Sequence, residues 1–243
     1  MRYIVLGGGC YGTFYARQLL RARDAGALAV DEIVVVDRNA APRARLELGE
    51  APPLRFEATT WEAFVADYFA KLPPDADDRL VPPPFTPHLA LAWLLDRARD
   101  ARPRLEWTLE PFRALPAIPF AQQAEGGPLV VSHADWICPV HCIEPATCPK
   151  TRGPRHWDMD RTARELAQEL DARGQPVDQV HLFHCRHEAY GVGAYPSALV
   201  PAALRSILGY VDEGGEGGGR FLVGTISHCH GALHLLRAAA ILA

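Results

Sequence analysis

An apolar run, Arg2-Tyr3-Ile4-Val5-Leu6, breaks into Gly7-Gly8-Gly9, and a further glycine follows at position 12 as a helical pattern begins. Gly7 permits a tight turn, Gly9 lets another group approach the backbone closely, and Gly12 lets the helix pack against the strand. Strand, glycine turn and helix in that order commit the N-terminus to a βα unit. Glu32 to Asp37, with Ile33-Val34-Val35-Val36 at its centre, reads as a second strand buried on both faces. Residues 54–59 read as a third strand and 61–72 as an amphipathic helix. Residues 79–81 make a short fourth strand, and 87–99 a helix with a strongly apolar face. Strands alternating with helices predict an α/β fold with a doubly wound, mostly parallel sheet.

Residues 105–160 interrupt that rhythm with many prolines, the Gly126-Gly127-Pro128 turn, a short strand at 129–133 and a cluster of cysteines. They read as an insertion that is rich in cysteine and proline. A helix over 161–172 stops at Gly174, a normal termination signal. The α/β pattern resumes with a strand at 179–185, a helix at 196–210, a glycine-rich loop at 214–219, a strand at 221–227 and a closing helix at 232–242. The expected organisation is an N-terminal half (1–104), the insertion (105–176) and a C-terminal half completing the sheet (177–243).

The chain has 243 residues, enough to bury a substantial core, and its 49% hydrophobic and 22% charged content is ordinary for a globular domain. A net charge of −4 gives no push toward nucleic acid or anionic lipid. The apolar runs are too short to span a bilayer, and no targeting segment precedes Gly7. The expectation is a cytoplasmic protein with neither membrane nor nucleic-acid partners, its self-association left open. In that compartment six cysteines read as ligands, catalytic groups or buried thiols rather than disulfides.

Asp37 closes the second strand, where a carboxylate can accept hydrogen bonds from ribose hydroxyls. Through Gly7, Gly9, Gly12 and Asp37, the first βαβ unit resembles the Rossmann-type NAD(P)-binding proteins. The resemblance covers that unit alone. It implies a dinucleotide whose pyrophosphate lies on the helix N-terminus, and a carboxylate at position 37 favours NAD over NADP. Arg38 beside it tempers that preference. Cys10, inside the turn, reads as a small buried residue.

Cys138, Cys142 and Cys148 fall within eleven residues, and fourteen of the sixteen Cys and His residues lie between His133 and His234. Thiols at such intervals can converge on one ion or cluster. An iron–sulfur cluster is the preferred reading, with proline after Cys138 and Cys148 stiffening the loop and Cys185 or Cys229 as a fourth ligand. Zinc, completed by His141 or His156, is the alternative. Free thiols are the third.

Two late strand ends carry His184-Cys185-Arg186-His187-Glu188 and Ser227-His228-Cys229-His230-Gly231. In one open parallel sheet both would lie on the same edge as the glycine turn. His187, His228, His230 and Cys229 are therefore the candidate catalytic groups, with Cys229 leading into a helix N-terminus. His88, His133 and His234 read as structural, and Tyr190-Gly191-Val192-Gly193 as a loop able to approach a ligand. The resulting expectation is an oxidoreductase-like, NAD(H)-binding redox protein with a cysteine-ligated metal centre, acting on a small-molecule substrate or an electron-transfer partner. A non-enzymatic NAD, redox or metal sensor and a metal-handling protein are the alternatives.

Overall fold

The computed structural model describes residues 1–83, 88–139, 142–214 and 218–241. In chain order its elements begin β1 (Arg2–Leu6), α1 (Cys10–Asp24), β2 (Glu32–Asp37), α2 (Arg43–Leu48), β3 (Leu54–Ala58), α3 (Trp61–Lys71) and β4 (Arg79–Val81). They continue α4 (Leu89–Ala101), β5 (Leu105–Glu110), β6 (Phe120–Gln123), β7 (Leu129–Ser132), α5 (Met159–Ala172) and β8 (Gln179–His184). The last are β9 (Arg186–Ala189), β10 (Val192–Pro196), α6 (Leu199–Glu213), β11 (Gly219–Ile226) and β12 (His230–Ala240).

The chain forms two compact units. The first comprises Met1–Leu89, Cys138–Arg155 and Cys185–Leu199; the second comprises Ala90–Ile137, His156–His184 and Val200–Ala243. Both cross the expected segments 1–104, 105–176 and 177–243.

In the first unit β3, β2, β1 and β4 run parallel in that order, and the antiparallel pair β10 and β9 extends the sheet beyond β4. β-Branched side chains dominate β2, and Ile33, Val34, Val35 and Val36 are fully buried. Alternation sends Ile33 and Val35 into one cluster with Tyr3 and Val5 of β1, Ala16 and Leu19 of α1 and Ala44 of α2. α3 is capped by Thr60, whose hydroxyl accepts from the Ala63 amide at 3.2 Å. Its Trp61 indole donates to the Val36 carbonyl at 3.1 Å, tying the helix start to the end of β2.

The second unit is a mixed sheet in the order β6-β7-β12-β11-β8. β11 pairs parallel with β8 and antiparallel with β12, and β5 pairs with the far half of β12. α5 covers one face, where Met159, Ala163, Leu166 and Leu170 pack on Leu222, Ile226 and Leu233. From α6, Tyr210 meets Phe221 edge-on at 5.7 Å; Phe221 alternates with Leu222 and so lies on the opposite face.

The chain is thus α/β, but its strands divide between two mixed sheets instead of forming one mostly parallel sheet. The late strand ends at His184 and Ile226 belong to the second sheet and do not share an edge with the glycine turn. The expected closing helix at 232–242 is strand β12. Its Ala- and Leu-rich sequence suits a helix, yet β11, β5 and β7 pair with it along its edges, and consecutive residues from Ala232 to Leu236 are buried on both faces of the sheet. A strand buried on both faces loses the alternation that would reveal it. The glycine-rich stretch at 190–193 is a hairpin connection: Tyr190 and Gly191 have φ of +48° and +81°, the signature of a tight two-residue turn between β9 and β10. No helix among the described residues is long and apolar enough to cross a membrane. Part of the 214–219 loop, together with His141, lies outside the described residues.

Candidate functional site

Gly7 leaves β1 at φ +102°, and its amide donates to the Val36 carbonyl at 2.8 Å. Asp37 accepts two backbone amides, from Gly8 at 2.7 Å and from Asn39 at 2.9 Å, which anchors the turn to the end of β2. Each carboxylate oxygen keeps acceptor capacity for another donor. Gly9 caps α1, is exposed, and has no atom within 4 Å of where a Cβ would stand. At Gly12 a Cβ would stand 1.6 Å from the Gly7 carbonyl oxygen. The helix therefore meets the turn at a distance only glycine allows. Asp37, Arg38, Thr60, Trp61 and Glu62 line a cavity of about 520 Å³ beside the ends of β2 and β3. Cys10 is exposed rather than buried, because the first turn of α1 faces outward at that position.

The cysteine-rich segment belongs to the same unit as the turn. Cys148 opens a tight loop closed by its own amide on Gly153 O (2.9 Å) and by the Arg152 amide on Cys148 O (2.8 Å), with Arg152 at φ +59°. Hydrogen bonds from the Thr151 amide, and secondarily the Lys150 amide, hold the Cys148 thiol below its ordinary pKa. Cys142 Sγ likewise accepts the Glu144 amide at 3.4 Å. The Arg155 guanidinium donates to the carbonyls of Glu144 and Pro145, joining the two loops. Cys138 and Cys142 are partly exposed, and Cys148 and Cys185 are buried. Burial, and then the Glu144 carboxylate, push the Cys185 thiol up to about 12. His187, two residues on, has Nε2 3.9 Å from Glu144 Oε2, while its Nδ1 is buried and has no hydrogen-bond partner. Among the described residues, no three His, Cys, Asp or Glu side chains stand together as a ready-made ligand set.

His228, Cys229 and His230 lie in the second unit. They do not open a helix; Ser227 to His230 form the turn between β11 and β12, closed by the Ser227 amide on His230 O at 2.7 Å. The Ser227 hydroxyl accepts the amides of Cys229 and His230, both at 3.3 Å. Cys229 Sγ accepts the Trp157 indole N–H at 3.2 Å, and His230 Nδ1 pairs with Ser132 Oγ at 2.9 Å.

His133, expected to be structural, joins this group. Its Nε2 pairs with Thr162 Oγ1 at 2.9 Å and its ring stacks on Trp157 at 6.2 Å. Burial, and then His228, Arg161 and His230, lower its pKa. The sequence hides this gathering because it arises from the pairing of Ser132 with His230 between β7 and β12, about a hundred positions apart. His234 is buried on β12, in keeping with a structural role.

A pH dependence follows. Burial and the neighbouring basic groups disfavour the charged His133 ring in the folded protein, so below about pH 6.5 the unfolded chain binds more protons at this site than the folded one. Stability contributed at this site is complete above that pH and is lost as pH falls through the lowered pKa. The urea midpoint is expected to drop between pH 7.5 and pH 5, and the drop should shrink in His133→Gln. An equal drop in both proteins would remove His133 from the effect.

Residues 90–239 match the model of AF_1314_C, described as "Uncharacterized protein, C-terminal domain". The chain belongs to the AF_1314_C family. No curated protein and no solved structure matches it. The AF_1314_C match begins at the residue that opens the second unit, and it includes the cysteine-rich segment, the β9–β10 hairpin and the histidine-bearing turn. The glycine turn and Asp37 precede it.

Proposed function

We propose that this chain is an NAD(H)-binding redox protein whose cysteine-rich segment holds a metal centre, an iron–sulfur cluster in preference to zinc. The observation that carries the reading is the glycine turn with its adjoining cavity. Gly12 draws the N-terminus of α1 against the turn, Gly9 leaves open space in front of it, and Asp37 borders a cavity large enough for an adenosine. The parallel order β3-β2-β1-β4 is also that of one half of a Rossmann sheet, a likeness that supports the same reading. Asp37 and Glu62 at one cavity disfavour a 2′-phosphate, so NADH is the expected ligand rather than NADPH.

Backbone amides bonded to Cys142 and Cys148 suit thiolate ligands, since hydrogen bonds to sulfur stabilise the anion and tune a bound metal. Bound there, an iron–sulfur cluster would supply single-electron transfer or a Lewis-acidic iron. Nicotinamide moves a hydride and a lone cluster accepts one electron, so exchange between the two requires a flavin or an electron-transfer partner, whereas a cluster that binds a small-molecule substrate avoids that exchange. α1 also packs against β9 and β10, next to Cys185.

The test is metal and acid-labile sulfide analysis with a visible spectrum, on protein purified without oxygen, followed by NADH titration read as energy transfer from tryptophan and compared with Trp61→Phe. Iron, sulfide and saturable NADH binding are expected. Colourless, metal-free protein that ignores NADH would overturn the proposal.

A further inference from the structure

Cys229 and His133 face each other at the turn end of the β7–β12 ladder. The register pairs Ser132 with His230, and one step further the His133 amide donates to the Cys229 carbonyl at 2.9 Å. Residues opposite each other in an antiparallel pair send their side chains to the same side of the sheet, with Cβ atoms about 5 Å apart. Ser132 and His230 obey this, since Ser132 Oγ lies 2.9 Å from His230 Nδ1. Cys229 and His133, on the other side, meet at one indole. Cys229 Sγ accepts the Trp157 N–H at 3.2 Å, and the His133 ring stacks on Trp157 at 6.2 Å. All of these residues belong to the second unit.

Proton counting fixes the state of the ring. The Thr162 hydroxyl has one proton and donates it to the Asp158 carbonyl at 3.0 Å, the back-bond of a helical threonine. Thr162 Oγ1 therefore accepts from His133 Nε2 at 2.9 Å, which places the ring proton on Nε2 and the lone pair on Nδ1. Nδ1 is the ring nitrogen nearer the backbone, within reach of a side chain on the facing residue. Burial, and then His228, Arg161 and His230, disfavour the charged ring and keep that lone pair available at neutral pH. A thiol beside a base whose orientation is set by a third group is the arrangement of an activated nucleophile. The indole N–H at Sγ adds a donor that favours the thiolate over the thiol.

We propose that Cys229 is a peroxide-reactive thiol, with His133 as its general base and Thr162 as the residue that positions His133. This chemistry is separate from the metal centre and the dinucleotide proposed above. Burial of the sulfur selects the class of substrate: Cys229 is 8% exposed, which admits a molecule the size of hydrogen peroxide but not a bulky disulfide. The other five cysteines belong to the first unit, so the product is a sulfenic acid and not a disulfide within the second unit. His133 Nδ1 takes the thiol proton, and the thiolate attacks one oxygen of the peroxide. The S–O bond forms as the O–O bond breaks, so the sulfur is oxidised and the peroxide reduced. The departing hydroxide takes the proton back from His133 and leaves as water.

The test exposes the full, reduced chain to hydrogen peroxide, traps sulfenic acid with dimedone and follows the Cys229 peptide by mass spectrometry, a readout independent of the other cysteines. Cys229 is expected to be labelled at least about tenfold faster in the folded chain than in the chain unfolded in urea. His133→Gln should slow labelling at least about tenfold, a conservative share of what a general base supplies, with unaltered circular dichroism. Thr162→Val should slow it as well, and Thr162→Ser should restore the wild-type rate, a rescue that a packing role for the threonine methyl would not give. Labelling no faster in the folded chain than in urea would overturn the proposal. A wild-type rate in His133→Gln would overturn the pairing with His133. Should His133→Gln fail to fold, the Thr162 variants decide that pairing, and equal rates in wild type, Thr162→Val and Thr162→Ser would overturn it.

Discussion

Gly12→Ala is expected to unfold the first unit at denaturant concentrations the wild type survives, with a loss of roughly 3 kcal/mol or more, at or above the upper end of overpacking penalties. The added Cβ would stand 1.6 Å from the Gly7 carbonyl oxygen and 2.7 Å from its carbon. Both atoms are backbone, so no side-chain rotation relieves the clash. Either α1 retreats or the turn breaks, and α1 carries Ala16 and Leu19 into the cluster that holds β1 and β2. The measurement is a urea titration followed by circular dichroism, and an unchanged midpoint would rule out the close approach. Gly9→Val provides the contrast. Nothing lies within 4 Å of a Cβ at Gly9, so stability should change by no more than about 0.5 kcal/mol. On the proposed dinucleotide reading, NADH binding should nevertheless weaken at least about 100-fold, or roughly 3 kcal/mol, because the valine would fill the space proposed for the pyrophosphate. NADH affinity equal to the wild type would remove the dinucleotide reading of this turn.

If the proposed metal centre is present, Cys148→Ser is expected to empty it while leaving the fold in place. The amides of Thr151 and Lys150 converge on the Cys148 sulfur, and the loop that presents them is held by Gly153 and Arg152. A serine hydroxyl can accept those amides, so the loop should persist. It stays protonated at neutral pH and is a far poorer ligand than a thiolate for zinc or iron. Metal content should fall to roughly a tenth of the wild type or less, with unaltered far-ultraviolet circular dichroism. The same should hold for Cys138→Ser and Cys142→Ser. Full metal retention by all three variants would exclude a centre on these cysteines.

The regular elements of the first unit were legible because their signals are local. The β-branched run at Glu32–Asp37 and the four glycines near Gly7 each carry their conformation within a few residues. The bounds expected for β2, β4 and the end of α5 match those observed. The β9–β10 hairpin had a readable signal too, since Tyr190 and Gly191 separate two short strands by the two residues a tight turn needs. β5 and β6 are not legible because prolines flank β5 on both sides and precede β6, which has only four residues.

Local signals along the chain specify the βα start, the glycine turn with Asp37 at its edge, and the concentration of thiols and imidazoles after His133. Tertiary structure alone decided that the strands divide between two sheets, and that 230–240 is a strand. It also decided that Glu144 meets His187 and that His133 joins His228 and His230. The division has a physical reason. Turns, caps and periodicity are fixed by neighbours along the chain. Strand pairing and the burial of a ring nitrogen depend on residues tens of positions away, whose approach no local pattern encodes.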